Sequence, residues 1–259
     1  MAARSLDDLR AATEHCYAAM EAIAADLSDD EWRHRSLCPD WTVRGVFDHV
    51  GGVEAALAGW WPETVDAPPP FERMEAFTAD PTPYPDKLRA LLDQRRRDLA
   101  SLSAADLDRP SWMPVGPGTY GRFLAIRVLD IWVHERDVTG PLGRATDDAG
   151  IAAEVALDQV ESSIGYIVGK KIGLPDGAGI TVDLTGPVVR QLHVQVDGKA
   201  RQVDHLDHPD VVLTTDSTTF VQLACGRIDP QAQIDAGTVT WTGDDALGDR
   251  AARHLRFTM

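Results

Sequence analysis

Cysteine is scarce in this chain, with only Cys16, Cys38 and Cys225 among 259 residues, and no two of them form a C-x-x-C pair. An odd total without paired spacing argues against a disulfide framework and against a zinc site built from thiolates, so all three are expected as reduced thiols. Lysine is rarer than arginine: Lys87, Lys170, Lys171 and Lys199 are four of 25 basic residues. With abundant Ala, Asp and Gly, this composition resembles that encoded by GC-rich bacterial genomes. Basic charge as a whole is in deficit, 25 residues against 41 acidic ones, for a net charge of −16. Such a chain repels nucleic acid and anionic membrane, and the one basic triplet, Arg95-Arg96-Arg97, sits in an amphipathic helical pattern and reads as a solvated face. No apolar run approaches the roughly 18 residues of a membrane span, and no apolar signal core precedes Asp7 and Asp8. The expected location is the cytoplasm. Also missing are a G-x-S-x-G nucleophile turn, a G-x-x-x-x-G-K-[ST] phosphate loop and a G-x-G-x-x-G after a strand, which removes the common signatures of hydrolase and nucleotide chemistry.

What is present divides into two patterns, and the length favours two domains. The first part reads as helices. Ser5 with Asp8 and Ser28 with Glu31 are helix starts, and Leu6, Leu9, Ala12, Cys16, Met20, Ile23 and Leu27 recur at steps of three and four. A helix from about Thr42 to Trp60 follows, then a proline-rich connector over residues 62–84 that is long enough to be a loop over a site. A stripe of Leu88, Leu91, Leu92, Leu99 and Leu102 comes next. After the Gly/Pro segment Pro114 to Thr119, a further helix ends near Thr139-Gly140-Pro141, and a last one runs from about Asp147 to Lys171. Four long helices and a short one make a bundle. Beyond Leu174 the period changes from helix to strand: Ile180, Val182 and Leu184 alternate, as do Leu192, Val194 and Val196 up to the hairpin signal Asp197-Gly198. Val211 to Leu213 and Val239 to Trp241 read as strands, Ser217 to Cys225 and Asp244 to His254 as helices. The fold class is therefore α plus α+β.

Two distant stretches carry chemistry. Asp130 and His134 are four residues apart, so on a helix both side chains leave one face, a turn apart. His49 falls on the apolar stripe Val46, Val50, Val53 and Leu57 of another helix, where an unpartnered imidazole is costly. Two histidines and a carboxylate fill three positions of a tetrahedral ion and leave one open, the arrangement of a catalytic site. Zinc is the expected ion, with Fe2+ or Ni2+ as alternatives, because imidazole and carboxylate do not discriminate sharply among first-row metals. Asp137, one turn beyond, is placed to hold the His134 ring. The competing reading is a hydrogen-bonded core histidine beside a local Asp–His helix pair. Trp41 and Trp132 flank these ligands, either as bundle core or as pocket walls. His205 and His208 lie in a polar, proline-ended loop and read as a solvated connection.

The segment Trp32 to His49, with its core Cys-Pro-x-Trp-Thr-Val-Arg-x-Val-x-x-His, resembles the mycothiol-dependent maleylpyruvate isomerase family, part of the DinB-like superfamily of metal-binding four-helix bundles. Arg127 to Val138 is similar to that family's second signature, with a departure: members carry Glu where this chain has Asp130, one methylene shorter. Residues 180–259, through Asp210 to Asp216, Phe220 to Arg227 and Gly243 to Gly248, resemble the sterol-carrier-like domain that follows the bundle. The resemblance implies a DinB-like bundle over residues 1–172, a small sterol-carrier-like α+β domain over 178–259, and His49, Asp130 and His134 as metal ligands. It further implies mycothiol as a low-molecular-weight thiol cosubstrate acting on a small electrophile, by cis–trans isomerisation or by S-transfer. In the family the second domain supplies an arginine for the substrate. Arg227 and Arg250 are the candidates, and a carboxylate-paired surface role competes for each. The expected assembly is a monomer or homodimer. The alternative function is a non-enzymatic, metal-stabilised protein holding an apolar ligand in its C-terminal domain.

Overall fold

The computed structural model describes residues 4–257. They form two compact units, one ending at Thr146 and the other beginning at Asp147. In the first, four long helices pack together: α1 (Leu6–Asp26), α3 (Val43–Leu57), α5 (Tyr84–Ala100) and α6 (Tyr120–Thr139), with a short α2 (Asp29–Arg33) before α3 and α4 (Glu72–Ala79) before α5. The starts follow from capping chemistry. The Ser5 hydroxyl accepts from Asp8 N while the Asp8 carboxylate accepts from Ser5 N, and Ser28 with Glu31 repeats the box on α2. Thr42 and Thr119 cap α3 and α6 by accepting from Gly45 N and Arg122 N. The apolar stripes meet in a core of Leu9, Cys16, Met20, Val46, Val50, Leu57, Leu88, Leu92, Val128 and Ile131, all essentially excluded from water. A two-residue ribbon, β1 (Pro110–Ser111) with β2 (Gly118–Thr119), leads into α6.

The connector over residues 62–84 is not all loop. It contains α4, which lies on α3 where Gly51 and Gly52 have no side chain: a Cβ on Gly51 would come within 2.4 Å of the Phe77 ring, and one on Gly52 within 3.2 Å of Met74. Lys87, on α5, closes the other end of α4 by donating to Phe77 O at 2.7 Å and Asp80 O at 3.1 Å, a cation against the carbonyls that a helix C-terminus leaves over. The helix escaped the sequence reading because only Met74 and Phe77 mark its inner face, which is too little for a period.

The second unit holds α7 (Gly150–Glu161), α8 (Ile164–Tyr166), a π-helical turn over Ile167–Ile172, then β3 (Gly179–Thr185), β4 (Arg190–Asp197), β5 (Lys199–Val203), β6 (Val211–Asp216), α9 (Ser217–Ala224), α10 (Pro230–Asp235), β7 (Val239–Gly243) and α11 (Asp245–Arg253). The five strands form one sheet in the order β5-β4-β3-β6-β7, all antiparallel except β3 with β6. Registry matches the alternation: Ile180 faces Val194 and Val211, and Val182 faces Leu192 and Leu213, so each core residue stacks on another. Gly198 takes a left-handed φ of 61° at the β4–β5 turn, as Asp197-Gly198 foretold.

The expected fold class is what the structure shows, but the boundary lies at residues 146–147 instead of 172. The helix expected to close the bundle from Asp147 to Lys171 breaks after Glu161 and belongs to the second unit, where α7 packs on α9. Its apolar stripe was legible, but a stripe does not say what it faces. Among the described residues no helix is long and apolar enough to cross a membrane.

Gly51→Val should destabilise the first unit by about 1–3 kcal/mol in urea denaturation, because the added side chain must push Phe77 and α4 away. An unchanged midpoint would mean that α4 is not seated on α3.

Candidate metal centre

The loop before α3 is built to place one ring. Cys38, Pro39, Asp40 and Trp41 form a tight turn in which Trp41 N donates to Cys38 O at 3.2 Å, Pro39 is second, and Asp40 takes a left-handed φ of 67°. Proline presets the second position of such a turn, and Asp is among the few side chains that tolerate the third. Ser36 Oγ donates to Trp41 O at 3.0 Å, and Leu37 N donates to Asp137 O at 3.0 Å, tying the loop to the end of α6. Trp41 is thereby held half-buried, its ring centroid 5.1 Å from that of His49 and 6.0 Å from that of His134.

His49 from α3 and Asp130 and His134 from α6 converge, with one donor atom of each lying within 4.8 Å of the others. His49 Nε2 is 3.5 Å from Asp130 Oδ2, and His134 Nε2 is 3.6 Å from Asp130 Oδ1. Donors bound at 2.0–2.1 Å to a tetrahedral ion lie about 3.3–3.4 Å apart, so the two aspartate–histidine separations suit a divalent cation. The chemistry of the donors fits too. His134 Nδ1 is 2.8 Å from Asp137 Oδ2, and Asp137 is fully buried, so a carboxylate acceptor assigns the ring proton to Nδ1 and turns the Nε2 lone pair toward Asp130. This is the role the spacing suggested for Asp137. Cys38 is buried and is not part of the cluster.

Beneath the triad lies a charged network that the sequence reading missed. Glu54 on α3, 1% exposed, accepts from Arg127 through Nη2 at 2.9 Å and Nε at 3.2 Å, and from Arg95 Nε at 2.9 Å. The Tyr17 hydroxyl donates to the same carboxylate. Arg127 turns its remaining nitrogen, Nη1, to Asp130 Oδ2 at 2.6 Å. Burial works against ionisation of Glu54, but Arg127 and Arg95 outweigh it and hold its carboxyl below the ordinary glutamate range. Asp130 follows the same balance: burial opposes ionisation, and above all the Arg127 guanidinium keeps it a carboxylate far below its usual range. The Arg95-Arg96-Arg97 triplet is thus corrected in part. Arg95 is 2% exposed and structural, Arg96 pairs with Glu14, Glu21 and Asp93, and Arg97 alone faces solvent without an acidic partner described for it. The one available signal was Glu54 itself, a carboxylate on the buried stripe of α3 five residues after His49.

A cleft of about 480 Å³ opens beside His49, lined by Trp41, Gly45, Asp48, Met74, Glu75 and Thr78, so α4 forms one of its walls. Trp41 lines this cleft, as the pocket-wall alternative of its two readings has it. Trp132 does not: two residues on from Asp130 it leaves the opposite side of α6, is 1% exposed, and lies under the Arg136 guanidinium at 3.3 Å. Arg227 and Arg250 belong to the second unit, where Arg227 donates to Cys225 O at 3.0 Å and Arg250 to Gly173 O at 2.9 Å. His205 is exposed and pairs with Asp207, and the triad is the one metal-type cluster found among the described residues.

Residues 6–139 match the Mycothiol maleylpyruvate isomerase N-terminal domain, and residues 154–250 match the MDMPI C-terminal domain. Among solved structures, that of the mycothiol-dependent maleylpyruvate isomerase superposes with a TM-score of 0.62 at 17% identity, covering 92% of this chain and 93% of that one. A histidine-to-alanine mutant of the same isomerase gives 0.61 at 16% identity over the same shares. None of the curated proteins matches the sequence.

Glu54→Ala leaves Arg95 and Arg127 without their shared acceptor and should cost about 3–5 kcal/mol in urea denaturation. The native Glu54 titrates below the 4.5 of a free glutamate, so its contribution is complete above that pH and is lost as pH falls through the folded value. The gap between wild type and variant should therefore narrow on acidification; a constant gap would exclude a charged Glu54.

Proposed function

The chain belongs to the mycothiol maleylpyruvate isomerase family, and from that premise we propose that it is a metal-dependent enzyme that activates a low-molecular-weight thiol, mycothiol, against a small electrophile. The observation that carries this reading is the convergence of His49, Asp130 and His134 beside an open cleft. A zinc ion held by these three residues would supply Lewis acidity, lowering the pKa of a thiol that shares its open position. Fe2+ or Ni2+ suits the same donors.

The chain's own groups do the rest. Asp137 holds the proton on His134 Nδ1, so that ring offers a lone pair at Nε2. Trp41 covers one flank of the triad with an apolar ring, which keeps water from one side of the reacting sulfur. The cleft is of the size that takes a small ligand. None of the chain's cysteines competes as nucleophile: all three are buried, and burial pushes the Cys16 thiol well above its ordinary range. The sulfur to be activated is, on family grounds, that of the thiol cosubstrate. In the isomerase form, the thiolate forms a carbon–sulfur bond at one end of a cis double bond conjugated to carbonyls. The resulting single bond rotates, and the carbon–sulfur bond breaks to restore a trans double bond and the thiolate. In the transferase form the carbon–sulfur bond stays, and the enolate left by the addition takes a proton from water to give the thioether. Arg227 and Arg250 are proposed, on family grounds, as arginines for an anionic substrate, and a cytoplasmic location follows from the same reading.

Two measurements test this. Metal analysis of purified wild type should find about one divalent ion per chain, and His49→Ala should lose most of it; full occupancy in the variant would remove His49 from the site. Zinc-loaded protein incubated with mycothiol and a panel of cis-enedione and other electrophiles should give cis–trans conversion or thiol adducts that depend on both metal and thiol. Turnover that is indifferent to mycothiol would overturn the thiol mechanism.

A further inference from the structure

Asp130 is the hub of the triad, and it is also the only one of the three that the buried network touches. Its Oδ2 sits 3.5 Å from His49 Nε2 and 2.6 Å from Arg127 Nη1, and its Oδ1 faces His134 Nε2 at 3.6 Å. Arg127 cannot swing freely, because Nε and Nη2 are both spent on Glu54 Oε1, at 3.2 and 2.9 Å. Glu54 is in turn fixed by Arg95 and by Tyr17, and Arg95 is anchored a second time by donating to Leu57 O at 3.1 Å. Every member of this chain of contacts except Asp130 is buried, and its members come from all four long helices.

A planar guanidinium that holds one carboxylate along one edge presents its remaining nitrogen in a fixed direction to the other. An aspartate side chain has only two rotatable bonds, so gripping one of its oxygens sets where the other points. We propose that Arg127, locked by Glu54, is a positioning residue that aims the Asp130 carboxylate between the two imidazoles, so that the cation affinity of the triad is set from the bundle core. The proposal rests on the reading that the triad holds a divalent cation. It runs against the simple electrostatic expectation: a positive charge beside a cation site repels the cation, so if Arg127 were a bystander, its removal would tighten binding. Positioning predicts the opposite sign.

The test is the affinity of metal-free full-length protein for Zn2+, read by competition with a chromophoric chelator, together with the visible spectrum of the Co2+ form. Arg127→Gln, which keeps hydrogen-bonding capacity and removes the charge, should weaken Zn2+ binding by roughly 10–100-fold, the loss typical of removing a group that orients a ligand. Arg127→Lys should not restore it, because one ammonium cannot take two bonds to Glu54 and a third to Asp130 with the same geometry. Glu54→Gln, with Arg127 still present, should show a smaller loss in the same direction and a shifted Co2+ spectrum. Wild-type affinity in Arg127→Lys, or equal or tighter binding in Arg127→Gln, overturns the proposal. Should Arg127→Gln fail to fold, Arg127→Lys and Glu54→Gln decide it alone by the same criteria. A wild type that binds Zn2+ but shows no thiol chemistry would sink the proposed function and leave this inference standing. A wild type that binds no cation sinks both.

Discussion

The first unit is organised around a carboxylate that has to stay charged while packed among helices. Asp130 achieves this with a guanidinium at hydrogen-bond distance, and the guanidinium is itself neutralised by Glu54 deeper in the bundle. Charges at these depths are tolerated only when each has an oppositely charged neighbour at hydrogen-bond distance. That requirement ties helices together. Glu54 on α3 needs Arg95 from α5, Arg127 from α6 and Tyr17 from α1, so the four long helices share one polar contact set. The site and the fold are held by the same interaction.

Family membership gives this arrangement its meaning without dictating its details. At 17% identity the solved isomerase supports the fold of the chain, and the chemistry has to be argued from the residues present here. Those residues supply two imidazoles and a carboxylate with an ordered ring tautomer, a tryptophan set by a tight turn, and a cleft walled by a short helix that rests on two glycines.

Much of this was readable in the sequence, and the division between what was and was not has a physical basis. Asp130, His134 and Asp137 lie within two turns of one helix, where spacing alone fixes a common face, and His49 stood out as a polar group on an apolar stripe. The Glu54 network joins residues 41 and 73 positions apart, and periodicity carries no information about pairing across that distance. Arg95 illustrates the point: inside a triplet of arginines nothing distinguishes the buried member except the helix opposite. Trp132 was open between core and pocket wall, and the structure decides for core: two residues on from Asp130, it lies on the opposite side of the helix. Strand alternation and the Asp197-Gly198 turn foretold the second unit well, whereas α7 was given to the wrong unit because an apolar stripe has no address.

The parallel contact between β3 and β6 has a consequence for how the second unit assembles. Its neighbours on one side, β3 with β4 and β4 with β5, are joined by short turns and can zip locally in microseconds. Pairing Ile180 with Val211 must first close a loop that contains both of those strands, which makes it the non-local step with the greater entropic cost. A three-stranded meander is therefore the natural kinetic nucleus, with β6, β7 and their helices docking onto its open edge afterwards. Until they arrive, β3 is an edge strand that presents a row of unpaired amides flanked by Ile180, Val182 and Leu184, a template for intermolecular association.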